Sequence, residues 1–183
     1  MTDFLQEYPD GQVIALDEMS LYFQATTTRV WSPMGQTSLV RVSPQRDHIH
    51  LYGALNLRSG HEFALPSPEM TSARTAVFLH DLLLCYPTQP ILLLWDRAHW
   101  HKGAAVKAVL VENPRLETVF FPPASPELNP QEHVWSQARA EVSHNHHFPS
   151  FTQLKTEFLD FLSNTLFHFD WLAKYAPTIL FEL

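Results

Sequence analysis

Three carboxylates in this sequence stand where separate elements could bring them together. Asp17 follows the apolar run "QVIAL", Asp96 follows "PILLLW", and Glu132 lies in the stretch "SPELNPQEHVW". A short apolar run bounded by turn signals reads as a buried strand, so Asp17 closes the first strand and Asp96 the fourth. If those strands are neighbours, their terminal carboxylates lie side by side. A helix crossing the strand ends would add Glu132. Three such groups repel one another unless cations accompany them. An all-oxygen set suits Mg²⁺ or Mn²⁺. Two such ions, about 4 Å apart, activate an attacking hydroxyl and steady the leaving oxygen in phosphodiester chemistry. Taken singly, each acid has an ordinary role. An Asp after a strand is a common turn residue, and Asn129, Pro130 and Glu132 fit a helix start with a capping box. The catalytic reading rests on all three meeting at one edge.

The elements that must place them follow from periodicity and punctuation. Residues 12–16 form the first strand. Residues 19–45 carry β-formers around a Ser-Pro-Met-Gly turn, which reads as a hairpin or an excursion. "HIHLYGALNL" and "HEFALP" are two strands joined by a Gly-containing turn. A helix follows, with Ser67 or Thr71 near its start and Ala73, Val77, Leu79, Leu83 and Leu84 at helical spacing. "PILLLWD" is a central strand, "KGAAVKAVLVEN" a short helix and "LETVFFP" the last strand. After a stiff proline loop, helices are predicted from Pro130 to about His147 and from about Ser150 to Phe169. Three early strands suggest an antiparallel meander, and the later alternation suggests parallel strands with helical crossovers. The result is a mixed five-stranded sheet flanked by helices, with extra helix at the C-terminus. This is the order of a ribonuclease-H-like α/β domain. The 183 residues fit one such catalytic domain.

Composition narrows the setting. Thirteen Phe and five Trp supply bulky core material. No apolar run approaches the roughly 20 residues needed to span a membrane. The N-terminus has no basic segment followed by an apolar one, so a cytoplasmic location is expected. The single cysteine, Cys85, excludes an internal disulfide and reads as a core residue. The net charge of −7 is unlike a free-standing nucleic-acid binder. It is compatible with an enzyme whose carboxylates hold divalent metal.

The segments "ALDEMSLYF", "RVWSPMGQT", "WDRAHWHKG" and "FFPPASPELNPQEHVW" resemble, in order, the motifs of Asp-Asp-Glu transposases of the mariner superfamily, with the bacterial insertion-sequence-630 type the nearest branch. The likeness runs from about Val13 to Arg139. It implies that Asp17, Asp96 and Glu132 are the catalytic metal ligands, with two Mg²⁺ or Mn²⁺ ions as cofactors. It also implies DNA as partner, at element ends and at the target, and a homo-oligomer when active. Family members carry an N-terminal helix-turn-helix region, here expected on a separate partner chain. The family often has Asn where this chain has Arg97 and Lys where it has Met34. The same chemistry without strand transfer would make a stand-alone nuclease. The fold without chemistry would make an assembly or DNA-binding domain.

Other residues are secondary. Strand alternation sends Glu18 to the face opposite Asp17, as a solvated or supporting acid. Arg29, Arg41, Arg46, Arg97, His101, Lys102 and Arg139 are candidate DNA contacts. Trp135 reads as core. "HNHH", His144 to His147, reads as a polar helix end because no fourth zinc ligand is near.

Overall fold

A computed structural model describes residues 1–24, 27–41, 43–123 and 125–181. Five strands form one sheet: β1 (Gln12–Tyr22), β2 (His48–Asn56), β3 (Glu62–Ser67), β4 (Ile91–Trp95) and β5 (Leu116–Phe120). Their order is β3-β2-β1-β4-β5. The first three strands pair antiparallel, and β4 joins β1 and β5 in parallel. The strand count, the antiparallel meander and the β1–β4 adjacency all follow the sequence reading.

Helices cover both faces. α2 (Ser72–Cys85) and α3 (Ala104–Glu112) pack on one; α4 (Pro130–Ala138), α5 (Phe151–Asn164) and a short α1 (Thr2–Glu7) pack on the other. Alternation along β1 divides the core. Val13, Ala15, Met19 and Leu21 join the layer of α4 and α5, whereas Ile14 and Leu16 join the layer of α2 and α3. The caps match the residue types: Thr71 accepts from the Arg74 amide and Ser150 from the Gln153 amide.

Several expectations need correction. β1 does not end before Asp17; it continues to Tyr22 because β2 pairs with it as far as Tyr22↔His48. The helix expected to reach His147 is α-helical only to Ala138, continues as one π turn over Arg139–Ser143 and ends there, with His144 as its C-cap and Asn145 beyond it at φ 60°. The helix expected to reach Phe169 stops at Asn164, where Leu166 leaves to bridge His61. α1 was not foreseen. On α2 the buried stripe is Thr75, Ala76, Phe78, Leu79, Leu82 and Leu83. Val77, Leu84 and Cys85 therefore face outward, and Cys85 is exposed rather than core. Of residues 19–45, the described ones after β1 (23, 24, 27–41 and 43–45) form the excursion rather than the hairpin, with Trp31, Met34 and Leu39 exposed; residues 25, 26 and 42 lie outside the described residues. The root of this excursion is tied down by two hydrogen bonds between Thr28 and Asn145. Among the described residues no helix is long and apolar enough to cross a membrane.

Candidate active site

Parallel pairing of β1 with β4 runs from Gln12↔Ile91 to Ala15↔Leu94. Two further steps along each chain lead to Asp17 and Asp96, so register alone sets them abreast. Glu132 arrives from the opposite direction. The prolines at 122, 123 and 126 stiffen the loop, Asn129 accepts a hydrogen bond from the Gln131 amide (3.1 Å), and Pro130 opens α4. The Asn129 amide donates to Pro126 O (3.0 Å), not to Glu132. The Glu132 carboxylate is thus not spent on a capping box.

Asp17, Asp96 and Glu132 line one cavity of about 400 Å³, together with Arg97, Asn129, Phe121 and the prolines of the loop. Among the described residues, no three His, Cys, Asp or Glu side chains are already gathered tightly enough to enclose an ion. That holds for this cavity and for the histidines at 144–147. The electrostatics nonetheless fit a cation. Burial, followed by the charges of Glu132, Glu18 and Asp96, pushes the Asp17 carboxyl up to about 8. An oxygen-rich pocket in which neighbouring acids raise the proton affinity of Asp17 suits a hard divalent ion.

Asp96 behaves oppositely. A hydrogen bond from His101 holds its carboxyl below the usual range, with the Ala98 amide assisting. His101 lies 2% exposed, stacked on Trp95 with ring centroids 4.6 Å apart. Burial alone would lower its pKa, but hydrogen bonds to Asp96 and Glu18 outweigh burial and raise it to about 9. The structure does not leave His101 free for DNA. Glu18 points away from Asp17, as alternation requires, and its carboxylate meets His101 Nε2 at 3.0 Å. Sequence reasoning placed Glu18 on the correct face but could not name its partner.

The other candidate contacts scatter. Arg97 lines the cavity, and its Nε donates to Phe121 O (3.1 Å). Lys102 lies beside the Phe120 ring, 5.9 Å from its centroid. Arg29, Arg41 and Arg46 lie on the exposed excursion. Arg139 is half-buried in a separate cavity of about 330 Å³, beside Ser20, His144 and His146.

Sequence analysis missed a polar cluster beneath α4. The Gln131 amide donates to Glu62 Oε1 of β3 (2.7 Å), while Glu62 Oε2 is buried with no partner among the described residues. Burial raises the Glu62 carboxyl well above the usual range, more than the bonds from Gln131 and the Ala54 backbone lower it. The folded chain therefore keeps a proton that the unfolded chain releases near pH 4. Folding takes that proton up, so its contribution to stability falls as pH rises toward the folded pKa, by up to about 1.4 kcal/mol per pH unit. Glu62→Gln has no proton to lose. Its stability relative to wild type is expected to improve as the pH rises above the range in which the unfolded carboxyl titrates, measured by urea unfolding at a series of pH values. A gap that does not change with pH would mean that Glu62 is ionised in the folded chain.

A Shigella sonnei protein described as "Insertion element IS630 uncharacterized 39 kDa protein" is 27% identical over 139 residues, which are 75% of this chain and 40% of that protein. The fold is similar to that of Mos1 transposase in its paired-end complex with the left transposon end. The TM-score is 0.65 at 20% identity, over 90% of this chain and 52% of that one. It is similar also to the Mos1 mariner paired-end complex with Mn (TM-score 0.64, 19% identity, 90% and 53% covered). The isolated Mos1 catalytic domain gives a TM-score of 0.57 at 17% identity, with 90% and 78% covered. This chain thus spans 40% of the insertion-element protein and about half of the Mos1 chains in those complexes. The family model of the DDE superfamily endonucleases matches residues 12–155, and the chain belongs to that family.

Proposed function

We propose that this chain is the catalytic domain of a metal-dependent DNA transposase. It cleaves phosphodiester bonds at the ends of an element and joins the freed 3′-hydroxyls to target DNA. The observation that carries this reading is the meeting of Asp17, Asp96 and Glu132, from β1, the end of β4 and the start of α4, around one cavity. Family membership and the Mos1-like fold support it. Asp17, Asp96 and Glu132 would hold two Mg²⁺ or Mn²⁺ ions. When bound, such ions activate an attacking oxygen and stabilise the leaving one. The residues of this chain supply the placement. The sheet register sets Asp17 and Asp96 abreast, and the proline loop delivers Glu132 across the strand ends. Arg97, exposed at the cavity wall, offers a cation to the DNA backbone. Recognition of the element's ends would come from a helix-turn-helix region outside the residues described, and activity from an oligomer on DNA.

Metal should stabilise the folded chain, because binding relieves the repulsion around Asp17 and selects the state in which the acids meet. At a concentration 100 times Kd the gain is about 2.7 kcal/mol, roughly 5–10 °C in Tm for a chain of this length. Asp96→Asn should lose most of that shift. Thermal unfolding in a Mn²⁺ titration of both proteins checks it. Equal shifts would remove Asp96 from the site, and no shift in wild type would refute the metal-dependent reading.

A further inference from the structure

We propose that Glu18, His101 and Trp100 form a buried positioning group that fixes the Asp96 carboxylate for metal. The inference rests on the reading of Asp96 as a metal-holding residue. Asp96 follows the last residue of β4, and its side chain is 52% exposed. A carboxylate at such a chain exit would ordinarily sample several rotamers. Here Oδ1 accepts from the Ala98 amide at 2.9 Å and lies 2.9 Å from His101 Nδ1 in an ion pair, and the same ring nitrogen is 3.3 Å from the Asp96 main-chain oxygen, so His101 grips both the backbone and the carboxylate of Asp96.

His101 is itself held on every side. Its other nitrogen meets Glu18 Oε1 at 3.0 Å, and its ring lies nearly parallel to the Trp95 indole, at 14°. The second oxygen of Glu18 accepts from Trp100 Nε1 at 3.2 Å. The side chains of Glu18 and His101 are 2% and 0% exposed. Burying an acid and an imidazole together is costly, and the pair adds little net stability over an apolar filling. What such a pair gives is orientation, in the way that outer hydrogen-bond partners aim the ligands of metal sites. Its place in the sheet makes the arrangement economical. The adjacent residues Asp17 and Glu18 of β1 face opposite sides. One lines the cavity; the other, through His101, steadies the carboxylate contributed by the neighbouring strand.

Glu18, His101 and Trp100 are positioning residues, not ligands, and the test must separate aim from packing. Mn²⁺ affinity is measured on the chain without DNA, by the electron paramagnetic resonance of free Mn²⁺, with folding checked by circular dichroism. His101→Gln removes the ring that bridges Asp96 and Glu18, and a merely structural role for that ring would leave Mn²⁺ binding as it is. Loss of positioning should instead weaken it, by roughly 10-fold or more, and Glu18→Gln should do the same. Trp100→Phe, a milder change at a half-buried residue, should weaken binding a few-fold. It carries the test if the buried variants fail to fold. In NMR spectra of wild type the proton on His101 Nε2, which faces the buried Glu18 carboxylate, should exchange slowly, and Glu18→Gln should speed its exchange. A folded His101→Gln that binds Mn²⁺ as tightly as wild type or tighter overturns the proposal, as does an unchanged Trp100→Phe when the buried variants do not fold. A wild-type chain that binds no Mn²⁺ would instead refute the metal-site reading itself.

Discussion

Glu132→Gln is expected to abolish Mn²⁺-dependent cutting of DNA while leaving the fold intact. The loss should be a thousandfold or more, roughly 4 kcal/mol of barrier at 1.36 kcal/mol per decade. Two features make the result specific. Glu132 is exposed at the head of α4, and the cap there belongs to Asn129. Removing its charge therefore takes no hydrogen bond from the helix start, and the stability change should stay within about 0.5 kcal/mol. The carboxylate is nonetheless one of three acids that line the cavity among the described residues. Asp17→Asn should be equally inactive and, without metal, somewhat more stable than wild type at neutral pH. Its carboxyl is pushed up to about 8 by burial and by neighbouring acids. The folded chain then holds a proton that the unfolded chain lacks, and that mismatch destabilises the native state across the interval. The assay is nicking of labelled duplexes that carry element ends, beside urea unfolding of each variant. If Glu132→Gln cuts as well as wild type, the carboxylate mechanism is wrong, and Glu132 is only a helix-start residue.

The largest stability effect is expected at Trp135. It lies 1% exposed on α4, one turn beyond Glu132, and belongs to the core layer of α4 and α5. Its ring occupies space that Gly53 of β2 leaves open: a Cβ at Gly53 would collide with Trp135, Gln131 and Glu62. The close approach of helix and sheet that the absent side chain permits is what seats α4. Trp135→Ala should cost about 3–5 kcal/mol, the range for a buried aromatic cut back to Ala. Gly53→Ala, which overfills the same seat, should cost about 1–3 kcal/mol. Both should lower activity indirectly, since α4 carries Glu132. Denaturant unfolding separates them from Glu132→Gln, which keeps its midpoint. A Trp135→Ala chain as stable as wild type would show that α4 is held chiefly by other contacts.

Much of this architecture was legible in the chain itself. The continuous apolar run "ILLLW" marks a strand buried on both faces, which must lie inside the sheet. Glycine and proline punctuation separated β2 from β3 and announced α4. The motifs around Asp17, Asp96 and Glu132 marked the candidate acids, with Asp96 just past the end of β4 and Glu132 in the first turn of α4, although Asp17 lies inside β1 rather than at its end. Where the reading failed, the deciding contact was distant. The chain after Asp17 alternates, with Met19 and Leu21 on one face, but the charged pair Asp17-Glu18 hides the continuity, and β1 runs on because β2 pairs with it through Tyr22. Cys85 was misplaced because the helical stripe in "AVFLHDLLLCY" has more apolar residues than buried positions. Only the direction in which α2 meets the sheet selects among them.

What the sequence determined by itself was the order of elements and the residue types at their ends. Hydrophobic periodicity and turn chemistry act over a few residues and need no partner. What the tertiary structure decided was company. Glu18 meets Trp100 and His101 across 82 and 83 positions, and Gln131 meets Glu62 across 69. No propensity encodes such pairs. They exist because β4 lies against β1 and α4 lies over β1 and β2, within reach of Glu62 on β3, which brings polar groups far apart in the chain into places where water cannot reach and only another side chain can satisfy them.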